Sequence, residues 1–262
     1  MSRIIVVTGA SSGLGLELYK QLSGIKDTVV CSLSRTNLNN LDHFYPCDVS
    51  SFEEVNQAMR DVFNEFGEID VLINNAGVGI SGALELLPIE EIKKIFDVNY
   101  FGVLYSIKGA FPYLSLNAKI INISSVCAFF SLPYRNVYCA SKAAVNMLSY
   151  GLRMELKNTK IQVCSVCPGD IKTSFTKNRI KNHETNERYA NSVINSEEKI
   201  DKNYNKRMNV EYVAKKIIKL LDKRKIPMIK IIGNKYKILY LFNKIISINC
   251  IYFVINKIFN KK

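Results

Sequence analysis

Tyr138 and Lys142 stand four residues apart in a stretch whose apolar spacing predicts a helix over Tyr138 to Leu156. On a helix that interval places both side chains on one face, about one turn from each other. A tyrosine hydroxyl titrates near 10 in water, too high for efficient proton exchange at neutral pH, and a neighbouring ammonium favours the phenolate and lowers that value. The pair is a candidate proton donor with its tuning cation. Ser125 comes thirteen residues before the tyrosine, after the predicted strand Lys119 to Ile123. The carboxyl ends of strands are where ligands bind in open α/β sheets, so its hydroxyl is placed to hydrogen-bond a substrate oxygen. Ser124 competes for that role, with a bond to the neighbouring backbone as its plainer use.

A second kind of chemistry is written near the start. The apolar, β-branched run from Arg3 to Thr8 leads into Gly9-Ala10-Ser11-Ser12-Gly13-Leu14-Gly15, after which Leu14, Leu18 and Leu22 recur at helical spacing. Glycines admit positive φ and close backbone approach, and a helix N-terminus presents unpaired N–H groups and a positive dipole end, which together suit a dinucleotide pyrophosphate. At the end of the second predicted strand, an acidic residue would accept the ribose hydroxyls of NAD. This chain has Ser34-Arg35 there, and a guanidinium beside a small hydroxyl suits the 2′-phosphate of NADP, so NADP is expected over NAD.

The elements that must position these residues follow one rhythm. Predicted strands at Arg3–Thr8, Thr28–Leu33, Val71–Ile73, Lys119–Ile123, Ile161–Val166 and Ile226–Ile232 alternate with helical stretches at Ser51–Phe66, Pro88–Leu114, Tyr138–Leu156 and Val210–Leu221. Apolar strands separated by amphipathic helices imply parallel pairing with helices on both faces, a doubly wound, Rossmann-like α/β sheet of about seven strands. Residues 174–209 break the rhythm with a polar, Asn-rich stretch, which reads as a lid.

The whole match is similar to the short-chain dehydrogenase/reductase family. The resemblance rests on the TGxxxGxG turn, on Asn74-Asn75-Ala76-Gly77 at a strand end, on the pair Asp48-Val49, on Pro168-Gly169 after a strand, and on Asn99, Ser125, Tyr138 and Lys142 in the family's catalytic order. It covers about residues 3–175. The resemblance implies that Ser125 rather than Ser124 meets the substrate, that Asn99 holds a water beside Lys142 in a proton relay, and that Lys142 also contacts the nicotinamide ribose. It adds Asp48 and Val49 at the adenine, and Asn75, Ala76, Gly77, Pro168, Gly169, Ile171 and Thr173 along the rest of the cofactor, together with Gly9, Ser11, Ser12, Gly13, Leu14 and Gly15. The implied reaction is hydride transfer between nicotinamide and a carbonyl or secondary alcohol, with Tyr138 as proton donor and Ser125 stabilising the developing charge. Ala128 stands where the family often has glycine. The aromatic run Phe129, Phe130, Leu132 and Tyr134 suggests a hydrophobic ketone, steroid or lipid substrate. The alternative is a dinucleotide-binding regulatory or scaffold protein without turnover, which has no need of the tyrosine and lysine together.

Composition bounds the rest. The 262 residues suit one large domain, and seven scattered cysteines without a cleavable leader pattern suggest a reducing, cytoplasmic compartment. Cys164 and Cys167 form a CxxC whose members fall on opposite faces of a strand, so core packing is expected and no metal site. The net charge of +13 is uneven: residues 199–262 hold 17 Lys and Arg against 3 Asp and Glu, while residues 1–198 carry −1. No nucleic-acid reading module accompanies that charge, and no nucleic-acid partner is expected. The chain is read as a catalytic domain over 1–234 and an extension over 235–262, which alternates lysines with Ile, Leu, Tyr and Phe. That extension suits either packing on the domain, including at a homo-oligomer interface, or peripheral contact with an anionic membrane.

Overall fold

The computed structural model describes residues 2–176, 178–189, 192–202, 204–243 and 245–259. Its first half runs β1 (Arg3–Thr8), α1 (Gly13–Ser23), β2 (Thr28–Ser34), β3 (Phe44–Pro46), α2 (Phe52–Phe66), β4 (Ile69–Asn74), β5 (Ile80–Ser81), α3 (Ile89–Phe96) and α4 (Gly102–Ala110). A π-helical turn, Asp97–Phe101, joins the last two. The second half runs β6 (Leu114–Ile123), α5 (Asn136–Glu155), β7 (Gln162–Pro168), β8 (Ile180–Lys181), α6 (Ser192–Lys202), α7 (Val210–Leu221), β9 (Ile229–Ile232), α8 (Asn234–Phe242) and α9 (Ile248–Phe259).

Seven strands form one parallel sheet in the order β3-β2-β1-β4-β6-β7-β9. Because successive strands leave β1 in one direction and β4 in the other, the order reverses between them, and that is where a doubly wound sheet opens a crevice. Alternation along each strand feeds two cores. Ile5, Val7, Ile73, Ile121 and Val166 face α1 and α7, while Ile4, Val6, Leu72, Ile120 and Val163 face α2, α4 and α5. Cys164 and Cys167 are buried in β7 on opposite faces, and burial pushes the first thiol up to about 12 and the second to about 11.

The segment 174–209 is not the irregular stretch its composition suggests. It contains β8, which pairs with β5, and the helix α6, so much of the lid is built on the domain by regular hydrogen bonds. Its few apolar residues hid both elements, since a two-residue strand and a polar helix have almost no periodicity. The strand read at 119–123 begins at Leu114, with a bulge in its pairing between Ile69 and Val71, and the three-residue β3 has too few residues to show a pattern.

The extension forms two helices. Tyr236 of α8 is buried, its hydroxyl donates to Asp170 Oδ2 at 2.5 Å, and Tyr240 packs edge-on to Phe129 with ring centroids 4.8 Å apart. Tyr252 of α9 accepts from the Ser131 N–H at 3.3 Å. The outward side chains stay exposed, Ile245 at 84% and Phe253 at 68%, along with Ile238, Leu241, Phe242, Ile248 and Val254. Among the described residues no helix is long and apolar enough to cross a membrane.

Candidate active site

The glycine turn is braced from behind by the strand beside it. Asn75 Nδ2 donates to the carbonyls of Thr8 and Gly9, both at 3.1 Å, and the N–H groups of Asn75 and Ala76 donate to Thr8 Oγ1 at 3.0 and 3.1 Å. A side-chain carbon on Gly15 would lie 2.2 Å from the Gly9 carbonyl oxygen, so only glycine lets β1, α1 and β4 meet this closely. Gly9 and Gly13 adopt φ of 67° and 55°. Ser12 caps α1 without a side-chain hydrogen bond to the helix, leaving its first N–H groups for a ligand. Thr173 faces Gly13 across the gap, a carbon on Gly13 standing 3.6 Å from its Cβ.

Further along the strand ends, Ser34 is buried and Arg35 exposed. Asp48 lies near Arg35; burial raises its carboxyl, but hydrogen bonds from Ser50 and the charges of Arg35 and Lys94 outweigh this and hold it below the usual range. Val49 is buried against Gly102 of α4. Gly169 is covered by the Tyr236 ring, which stands where a β-carbon would otherwise be, and Ile171 packs on the core beside Met208.

Lys142 is 4% exposed, and its ammonium donates to the Ile123 carbonyl at 3.0 Å. Burial pulls it down to about 8. The π-helical turn carries Asn99, fully buried, whose Oδ1 accepts from the Val78 N–H at 2.8 Å and whose Nδ2 donates to the Val78 carbonyl at 2.9 Å and Ser141 Oγ at 3.0 Å. Gly77 keeps the space between the two open: a side-chain carbon there would stand 3.2 Å from Asn99 Oδ1 and 3.4 Å from Lys142 Nζ. The side chain of Asn99 is thus largely bound to protein groups, with one lone pair of Oδ1 facing the gap in which a relay water was expected.

The two serines separate cleanly. Ser124 Oγ donates to the Lys142 carbonyl at 2.9 Å and anchors α5, whereas Ser125 accepts from the Cys127 N–H at 3.1 Å and lies beside the Tyr138 hydroxyl. Burial is the main influence on that hydroxyl and raises it above 10, against which the neighbouring Ser125 hydroxyl is a smaller, lowering effect. The expected tuning of Tyr138 by Lys142 is therefore not what this arrangement displays. The ammonium is turned to the Ile123 carbonyl, and desolvation governs both groups.

Beside Tyr138 lies a cavity of about 30 Å³, lined by Gly79, Ile80, Arg135, Tyr138, Phe175, Thr176 and Arg179. Phe175 and Tyr138 have ring centroids 5.9 Å apart. Phe129, Phe130, Leu132 and Tyr134, from which an apolar substrate wall was expected, do not line it; Phe129 packs under the extension and Phe130 is buried.

Sequence reasoning missed the parts that hold α5 in place. Asn74 Nδ2 donates to Asn122 Oδ1 at 2.8 Å, Asn122 Nδ2 to Ser149 Oγ at 2.9 Å, and Asn146 accepts from Ser165 at 2.5 Å, a buried polar chain from the sheet to the helix. Polar residues recurring within apolar strands and on the inner face of a helix were its available signal. Arg179 gave none.

The sequence profile of the short chain dehydrogenase family matches residues 3–184. The 3-ketodihydrosphingosine reductase of Bacteroides thetaiotaomicron is 36% identical over 92% of each chain, and a short-chain type dehydrogenase/reductase of Helicobacter pylori is 36% identical over 89% of each. A short-chain dehydrogenase from Streptomyces avermitilis superposes with a TM-score of 0.81 at 25% identity, over 98% of this chain and 97% of that one. The chain belongs to the short-chain dehydrogenase/reductase family of oxidoreductases.

Proposed function

We propose that the protein is an NADP-dependent oxidoreductase acting between a carbonyl and a secondary alcohol. The observation that carries the reading is the convergence of Tyr138, Ser125 and a buried, pKa-shifted Lys142 at the carboxyl ends of the strands, beside an uncapped helix N-terminus. The donors fit a dinucleotide. The N–H groups at Gly13, Leu14 and Gly15, with Ser11, Ser12 and Thr173, would hold the diphosphate, Ser34 and Arg35 the 2′-phosphate, Asp48 and Val49 the adenine. Asn75, Ala76, Gly77, Lys142, Pro168, Gly169 and Ile171 would flank the remainder. When bound, the cofactor supplies or accepts the hydride.

The chain's own residues handle the proton. Tyr138 is protonated at neutral pH, so in the reducing direction it gives its proton to the substrate oxygen while Ser125 donates a hydrogen bond to the same atom. Lys142 and Asn99, on either side of the gap left by Gly77, suit a water that reprotonates the site. A relative named as a 3-ketodihydrosphingosine reductase supports a ketone as the oxidised substrate. The basic charge and exposed apolar side chains of α8 and α9 support contact of that face with an anionic membrane surface.

The test is Tyr138→Phe. Turnover with NADPH is expected to vanish while NADPH binding, measured by fluorescence, stays near that of the unmodified protein. Retained reduction refutes the mechanism, and an unmodified protein that binds NADPH but reduces no carbonyl compound favours a binding-only role.

A further inference from the structure

The cavity beside Tyr138 is lined by two arginines, and one of them has no reason to be buried there in the protein alone. Arg179 is 7% exposed, its Nε and Nη1 are buried without a hydrogen-bond partner, and Nη2 reaches only the Thr176 carbonyl at 3.5 Å. Arg135, three residues before the tyrosine, also leaves a buried Nε without a partner. Among the described residues no carboxylate lies within 4.0 Å of either side chain. A buried cation is ordinarily paired, because leaving water without compensation is costly, and an apolar side chain would fill the same space without that cost. The stem of Arg179 passes within 3.3 Å of where a β-carbon on Gly79 would lie, so the absence of a side chain at Gly79 makes room for it.

We infer that Arg179, with Arg135, binds an anionic group of the substrate, so that the oxidoreductase acts on oxo compounds bearing a carboxylate or phosphate a few bonds from the reacting carbonyl. The inference rests on the reading of Tyr138 as the proton donor. The guanidinium fork matches the oxygens of either anion, and a ligand supplies the counter-charge the protein withholds. A cavity of about 30 Å³ has room for a small group rather than a whole substrate, which places the anion there and leaves the rest of the molecule outside it.

The experiment uses matched pairs in which only the anion differs: acetoacetate against its ethyl ester, and dihydroxyacetone phosphate against dihydroxyacetone, each with NADPH. The anionic member of at least one pair is expected to have the higher kcat/KM by roughly 10- to 150-fold, the range of a charge-assisted contact, and Arg179→Gln should bring that ratio close to one. Preference in one pair identifies carboxylate or phosphate as the group. Equal values within both pairs overturn the inference while leaving the oxidoreductase reading intact. If NADPH binds and no compound is reduced, the oxidoreductase reading fails instead. The anion site is then decided by calorimetric titration of acetate and inorganic phosphate into the NADPH-loaded protein: binding lost in Arg179→Gln supports it, and no binding to the unmodified protein overturns it. The Tm of ligand-free Arg179→Met separates recognition from support. A value at or above that of the unmodified protein is expected of an unpaired buried charge, and a fall of many degrees shows that Arg179 is structural and overturns the inference.

Discussion

Lys142 is held almost wholly out of water, and its displaced proton equilibrium has a measurable consequence for stability. In an unfolded chain a lysine titrates near 10.4, whereas burial brings Lys142 down to about 8. Between those values the unfolded state binds more protons than the native one, so the penalty of burying the ammonium is relieved as pH rises through the window. Relative to Lys142→Met, the unfolding free energy of the cofactor-free protein should grow by on the order of 2–3 kcal/mol between pH 7.5 and pH 10, measured by urea denaturation. A difference that stays constant with pH shows that the ammonium titrates normally. Arg35 offers the second residue-scale test: Arg35→Ala should weaken NADPH binding about 10- to 150-fold and NADH binding little. Equal affinity of the unmodified protein for both cofactors leaves Arg35 as a surface charge. Helical spacing identified Tyr138 and Lys142 as neighbours and a strand end offered Ser124 or Ser125, because periodicity and strand ends are local properties, while the choice of Ser125 rested on the family resemblance. Spacing did not reveal that desolvation would dominate the tyrosine and lysine, since their burial is set by distant segments.

At the scale of elements, a buried carboxylate ties α6 of the lid to β5 and β8. Glu197 of α6 accepts a hydrogen bond from Ser81 of β5, pairs with His183 at 2.9 Å, and lies 3.8 Å from Lys181. Glu197→Ala removes all three contacts and should detach α6 from β5. The expected result is faster proteolytic cleavage within 174–209, with a raised substrate KM and a nearly unchanged NADPH affinity. Cleavage at the original rate means that the helix is fixed by other contacts. The boundaries of α7 and the first core strand were readable because each carries a full apolar period, and β8 and α6 were not, because their stability comes from pairing with a remote strand and from polar contacts. The same reasoning explains Asn99. Nothing local announces a π-helical turn, which here inserts an extra residue so that the asparagine side chain can bond the Val78 peptide.

Seen as a whole, the molecule is near-neutral in its first three-quarters and basic in its last quarter, which includes the exposed apolar residues of α8 and α9. Sedimentation with phosphatidylserine vesicles, with release as salt rises, is expected of the intact protein, and neutral vesicles should retain little of it. Failure to sediment with either directs the exposed face of α8 and α9 to a second copy of the chain, which the sedimentation coefficient would then register. Truncation after Gly233 should reduce both solubility and activity, because it strips Tyr236 from Gly169 and uncovers Phe129 as well as removing the charge. A truncated protein of undiminished Tm and kcat would make the extension dispensable.

The placement of Tyr236 over Gly169 also has a bearing on biosynthesis. Strands β1, β4, β6 and β7 are complete long before residue 236 leaves the ribosome, and domains assemble broadly in the order they are made. The nascent chain therefore passes through a period in which the Pro168-Gly169 wall is uncovered and Asp170 has not received its tyrosine hydroxyl. The contact of the Tyr236 ring with Gly169, and of its hydroxyl with Asp170, is therefore completed only after the strands of the sheet up to β7 have been synthesised.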